Sequence, residues 1–240
     1  MSTAQVNRDQ RSASPGLFDA AVRRVFRLVG WLLLSLVFSI ALEWIGLIWW
    51  WPDQGAQHSL DMYAAEIAYL TGDYTKSLIT RDPAAYAAAL TELEYTWLWE
   101  NTHAIRLVQW IVAPPPADAS AVRQGLHTLS EFAIATVNIT QVFTIRVAIL
   151  TLAMPVFILF GLVGLTDGLV QRDIRKWGGG RESGYIFHWA TKFVGPAFFL
   201  TWLLYLSMPF SINPGLVVLP FAVLFALMLR IASTTFKKYL

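Results

Sequence analysis

The chain has 240 residues, of which 56% are hydrophobic and only 14% charged, against roughly 45–50% and about 25% in soluble globular domains. That balance excludes an ordinary soluble domain and points to a membrane protein. The absence of cysteine excludes a disulfide framework and a thiolate metal site, and a net charge of +2 is too small to make nucleic acid the main partner.

Residues 1–15 are polar, with Ser and Pro, and read as disordered. From Gly16 to Arg27, Leu17, Phe18, Ala21 and Val25 take one side of a helix and Arg23, Arg24 and Arg27 face lipid headgroups, which predicts an amphipathic surface helix. Leu28 to Trp51 is long enough for a bilayer that needs about 20 apolar residues, with Glu43 as its single charge and three tryptophans at its end. This first span sits too far into the chain, and is too long, for a signal peptide.

The region that follows reads as helical. Leu60, Tyr63, Ile67 and Leu70 keep helical spacing, which leaves Asp61 and Glu66 to point to solvent. Asp82-Pro83 is an N-cap followed by a first-turn proline and opens a helix running to about Val112, before Pro114-Pro115-Pro116 stops it. Ser120 or Asp118 caps a third helix, with Val122, Leu126, Leu129 and Phe132 on its apolar face, that leads into a second span at Val147 to Leu165. Tyr95, Trp97, Trp99 and Trp110 serve as core, as interfacial anchors or as a partner face.

Beyond the second span, Asp173 to Trp177 close a helix, and Gly178-Gly179-Gly180-Arg181 is the one stretch able to offer backbone N–H groups and a guanidinium to a phosphate. A hinge is the simpler reading of those glycines. Tyr185, Phe187 and Trp189 then bring aromatics to a bilayer surface. Phe193 to Phe210 and Leu216 to Ile231 form a hairpin across Asn213-Pro214-Gly215, with a re-entrant pair as the alternative.

Positive charge sets orientation. Arg8, Arg11, Arg23, Arg24 and Arg27 precede span one, Arg172, Arg175, Lys176, Arg181 and Lys192 fall in or beside the glycine loop, and Lys237 and Lys238 lie in the tail. Residues 52–140 hold ten acidic side chains against four basic ones. The expectation is an all-α membrane protein with about four transmembrane helices and an extracytoplasmic helical hairpin between spans one and two. Its parts are a cytoplasmic segment 1–27, a span 28–51, a periplasmic region 52–146, a span 147–166, a cytoplasmic loop 167–192, spans 193–210 and 216–231 about a turn 211–215, and a cytoplasmic tail 232–240.

The search for chemistry finds little. His58, His103, His127 and His188 are scattered without metal-ligand spacing, and neither a Gly-x-Ser-x-Gly elbow nor a Walker loop is present. No cofactor, metal or catalytic residue is assigned. Glu43, inside span one, and Arg146, at the outer end of span two, are expected to pair, because a lone charge in a membrane is costly. Gly161-x-x-Gly164 misses the Gly-x-x-x-Gly spacing.

The string Gln171-Arg172-Asp173, Arg175 and Gly178-Gly179-Gly180-Arg181-Glu182-Ser183, with the spans around it, resembles the integrating conjugative element membrane protein family over roughly residues 20 to 238. The resemblance implies a non-enzymatic protein of the bacterial inner membrane, encoded in a conjugative transfer cluster beside the coupling ATPase that feeds a type IV secretion channel. It further implies a cytoplasmic docking platform at Arg172, Asp173, Arg175, Gly178, Gly179, Gly180, Arg181, Glu182 and Tyr185. The expected partners are membrane lipid and other transfer proteins such as that ATPase, with room for a homo-oligomer. Direct DNA contact is disfavoured, since Asp167, Asp173 and Glu182 offset the loop's basic residues. The competing classes are an exclusion-type membrane protein acting on an incoming mating partner, a small transporter and a membrane enzyme.

Overall fold

The computed structural model describes residues 17–73, 77–116, 118–178 and 184–236. The predicted disorder of residues 1–15 and four of the candidate docking residues, Gly179, Gly180, Arg181 and Glu182, lie outside them. The described residues are mostly helical and include no strand: α1 (Leu17–Trp49), α2 (Gln57–Asp73), α3 (Pro83–Tyr95), α4 (Ala104–Val112), α5 (Ala121–His127), α6 (Ser130–Leu152), α7 (Met154–Trp177), α8 (Gly184–Ser207) and α9 (Pro214–Thr235). Among them, Ala21–Trp49, Ser130–Trp177 and Pro214–Thr235 are long and apolar enough to cross a membrane. The protein is thus an all-α membrane protein. Of the two runs expected to form a hairpin, Leu216 to Ile231 lies within α9, while Phe193 to Phe210 begins in α8 and passes its end at Ser207.

The expected surface helix from Leu17 to Arg27 and span one as far as Trp49 are a single helix, because nothing between Leu17 and Trp49 breaks the ladder. The other long apolar unit is divided. Pro155 stands in the first turn of α7 and has no N–H to donate, so the ladder that ends α6 at Leu152 restarts at Met154. The expected span at Val147 to Leu165 therefore straddles the junction of two helices.

Helix α6 is the mast of the first half of the fold. Its polar side chains grip four neighbours in turn: Trp44 of α1 donates its indole N–H to Thr136 at 3.0 Å, Asn138 donates to Ser59 of α2 at 2.9 Å, Trp99 donates to Thr140 at 3.0 Å, and the Tyr86 hydroxyl of α3 meets that of Thr151 at 3.2 Å. The pairings also give direction. α2 runs parallel to α6, while α1 and α3 run antiparallel to it.

Asp82 caps α3 as its sequence predicts, accepting from the Ala85 N–H at 2.9 Å, and Ser120 caps α5 by accepting from the Arg123 N–H at 3.4 Å. The helix expected to run from Pro83 to Val112 is interrupted. A π-helical turn at Thr96–Glu100 inserts extra backbone, and His103 sits in the left-handed region at φ 59°, so the chain restarts as α4. Gly55, at φ 54°, makes the turn into α2, where the Ala56 N–H donates to Glu131 Oε2 at 2.7 Å. A side chain at Gly55 would meet that same carboxylate oxygen at 2.7 Å.

Helices α7, α8 and α9 form a second bundle, with Phe157 edge-on to Phe198 at 5.1 Å and to Phe225 at 6.0 Å. In lipid, apolar contact alone drives helices together weakly, and close backbone approach matters more. Gly161, Gly164 and Gly168 are all buried and supply that approach on α7. A Cβ at Gly164 would collide with the Ala226 carbonyl, one at Gly168 with Ser233 and the Arg230 backbone, and one at Gly161 would press Phe225 at 3.0 Å. The Gly-x-x-x-Gly spacing that Gly161 and Gly164 lack is present in Gly164 and Gly168.

Candidate functional site

Where α2 and α6 meet the α7–α9 bundle lies a buried ionic knot. Glu66 of α2 and Arg146 of α6 are 0% and 1% exposed. Arg146 donates through Nε to Glu66 Oε1 at 2.8 Å, through Nη1 to the Met208 carbonyl at 2.6 Å and through Nη2 to the Phe210 carbonyl at 3.0 Å. Glu66 also accepts from the Tyr205 hydroxyl at 2.6 Å, and the Ser211 hydroxyl lies 3.1 Å from its Oε1. The guanidinium stands 5.5 Å from the centre of the Tyr205 ring. The knot therefore joins α2, α6, α8 and the α8–α9 connection through one guanidinium. Burying two charges is repaid only when each lone pair and N–H finds a partner, and here the Met208 and Phe210 carbonyls, freed by the end of α8, are those partners.

The expected Glu43–Arg146 pair is not formed. Glu43 is instead 3.1 and 3.2 Å from Nδ1 of His58, whose ring stacks on Trp51 at 3.8 Å. The first turn of α2 thus brings an imidazole to α1 just where Trp51 folds back over Gly46. Ser35, Ser39, Glu43 and Leu47 recur every four residues and are all buried, so α1 turns a small polar stripe inward at the helical period.

Sequence reasoning missed Glu66, His58, Tyr205 and Ser211. The expectation that Glu66 faces solvent is overturned, because the buried stripe of α2 is Ser59, Met62, Glu66 and Leu70, while Leu60 and Ile67 are exposed. Two stripes about 100° apart are equally periodic, and only Arg146, a cation in an apolar run, signalled that a carboxylate had to be inside.

A third acid, Glu94 on α3, has no hydrogen-bond partner for either carboxylate oxygen. Burial pushes its pKa above the usual glutamate range, an effect partly offset by Thr140 and Trp99. Those two nearest donors are committed elsewhere, Trp99 to Thr140 and Thr140 to the Val137 carbonyl at 2.7 Å.

At the far end of the bundle, α7 runs through Trp177 as predicted, and the Gly178 N–H bonds to the Ile174 carbonyl at 3.1 Å; Gly178 has φ −88°, so the cap is not left-handed. Of the predicted docking residues, Arg175 donates to the Thr234 carbonyl at the end of α9, Arg172 lies over the Phe236 ring at 5.5 Å, and Asp173 pairs with Lys176 at 3.5 Å on the exposed face. Asp167 pairs with Arg230 across the α7–α9 seam. A cation at a helix C-terminus complements the dipole there, so Arg175 serves the bundle itself. Trp177 and Tyr185 are the exposed aromatics flanking the glycine stretch, at 93% and 71%. Among the described residues no group of three or more His, Cys, Asp or Glu is placed to hold a metal ion.

Residues 50–237 match the model of the DtrJ-like family, described as IncC plasmid conjugative DNA transfer proteins. The chain belongs to the DtrJ-like family. The match takes in both ionic residues of the knot, the glycine seam and the whole α7–α9 bundle, and begins at the end of α1. It bears out the conjugative setting expected from the Gln171 to Ser183 string. No curated protein and no solved structure matches the chain. Membership of the DtrJ-like family makes this a conjugative DNA transfer protein.

Proposed function

We propose that the protein is a non-enzymatic adaptor of the inner membrane that holds the coupling ATPase at the transfer channel, with both termini and the α7–α8 connection in the cytoplasm. The observation that carries this reading is Trp177, a tryptophan left 93% exposed on a helix clamped to α9 by Arg175 and by the Asp167–Arg230 pair. Large aromatics held on a rigid support are typical anchors of protein interfaces. Tyr185 and Trp189, in the first turns of α8, are exposed as well. The basic residues of segments 1–27 and 167–192 favour the cytoplasmic side for it. The reading is non-enzymatic because the buried ionisable groups of the knot are spent on one another.

Photo-reactive residues at Trp177 and Tyr185, in donor cells carrying the parent element, test the reading. Trapping of the coupling ATPase, together with loss of transfer for Trp177→Ala, is the expected result. Trapping of lipid alone, with normal transfer, removes the docking surface. A second reading, exclusion of an incoming mating partner, is favoured by Trp97, Leu107 and Trp110, which the outer helices leave exposed. Increased redundant transfer into recipients lacking the protein is the result that selects it.

A further inference from the structure

At the Trp177 end of the bundle, α7, α8 and α9 diverge around a groove of about 370 Å³ lined by Leu165, Leu169, Phe187, Leu229, Phe236 and Arg172. Its walls are almost wholly apolar. Leu165 and Arg172 are seven residues apart on one helix, so the groove runs about 10 Å along α7. Leu165 and Leu229 line one end of it and Arg172, Phe187 and Phe236 the other, with Leu165, Leu169 and Phe236 open to the surroundings.

The charges around the groove are unequal. Arg230 is matched by Asp167, Lys176 by Asp173, and Arg175 by the Thr234 carbonyl. Among the described residues, Arg172 has only the face of Phe236 opposite it. A half-buried guanidinium at the head of an apolar slot fits a molecule with one anionic end and one long apolar tail.

We propose that this groove binds one anionic phospholipid, its acyl chain lying between Leu165 and Phe236 and its phosphate on Arg172. The site explains why Arg172 is held by an aromatic ring and not by a carboxylate: the ring fixes the guanidinium without neutralising it. It is independent of the docking surface, which rests on Trp177 and Tyr185.

Native mass spectrometry of the full chain, released from detergent in equimolar palmitoyl-oleoyl phosphatidylglycerol and phosphatidylcholine, tests the site. Wild-type protein is expected to retain one phosphatidylglycerol in preference to phosphatidylcholine. Arg172→Gln is expected to lower that preference about fivefold, the worth of one basic side chain at an anionic surface, and Arg172→Lys to keep most of it. Leu169→Trp, which fills the slot and leaves Arg172 intact, is expected to lower retention of both lipids and so remains informative should Arg172→Gln fold poorly. Equal retention of the two lipids by wild type, an undiminished preference in Arg172→Gln, or displacement of the lipid by millimolar inorganic phosphate would overturn the proposal.

Discussion

Arg146 and Glu66, 80 positions apart in the chain, meet at 2.8 Å where neither is reached by solvent. Removing one member of such a pair strands the other charge, at about 3–5 kcal/mol, whereas replacing both by apolar groups of similar size is often close to neutral. Glu66→Leu and Arg146→Met are therefore each expected to lower thermal stability in detergent severely, and the double variant to recover most of the loss. Circular dichroism melts of the three variants check this.

Glu43 and Arg146 share no hydrogen-bond partner, because His58 serves one and Glu66 the other. Changes at groups without shared partners add within about 0.3–0.5 kcal/mol. Glu43→Gln combined with Arg146→Met should show additive losses in chemical denaturation, while Glu43→Gln combined with His58→Phe should not. Strong coupling between Glu43 and Arg146 would restore the direct pair that the sequence suggested.

The α7–α9 seam makes a prediction by contrast. Gly164→Ala brings a Cβ against the Ala226 backbone, which has no flexible end to yield, so the helices must part and stability falls. Gly30→Ala in α1 meets nothing within 4 Å and replaces a poor helix former with the best, a gain of about 1 kcal/mol in a helix interior. Melting temperatures should move in opposite directions.

Glu94 governs a pH effect. Its folded pKa is raised by burial above the ordinary 4.5, so the folded state holds the proton more tightly than the unfolded one. Stability then falls as pH rises from about 4.5 through the folded value, and the penalty stays in place above it. Glu94→Gln removes the charge and is expected to melt higher than wild type at pH 8, with the advantage shrinking as pH is lowered toward 4.5. A difference that is constant across that range would separate Glu94 from the effect.

What the sequence determined by itself was local or cumulative. The membrane class follows from composition, and the start of α3 at Asp82-Pro83, the cap at Ser120 and the run of α7 through Trp177 follow from residues within a turn of each other. Pro155 and His103 ended helices where the sequence reading ran on, the first by lacking an N–H and the second by a left-handed backbone that side-chain periodicity does not register.

Tertiary structure decided the pairings. Whether α2 turns Glu66 or Ile67 inward is a rotation of about 100°, and both faces are periodic; the choice falls to Glu66 only because α6 presents Arg146 and the end of α8 presents two free carbonyls at the same level. His58 reaches Glu43 for the same kind of reason, since α1 ends in a fold-back of Trp51 that sets the first turn of α2 against it. Charges in a buried setting select partners by the register of whole helices, and that register is a property of the assembled bundle, not of any one stretch of chain.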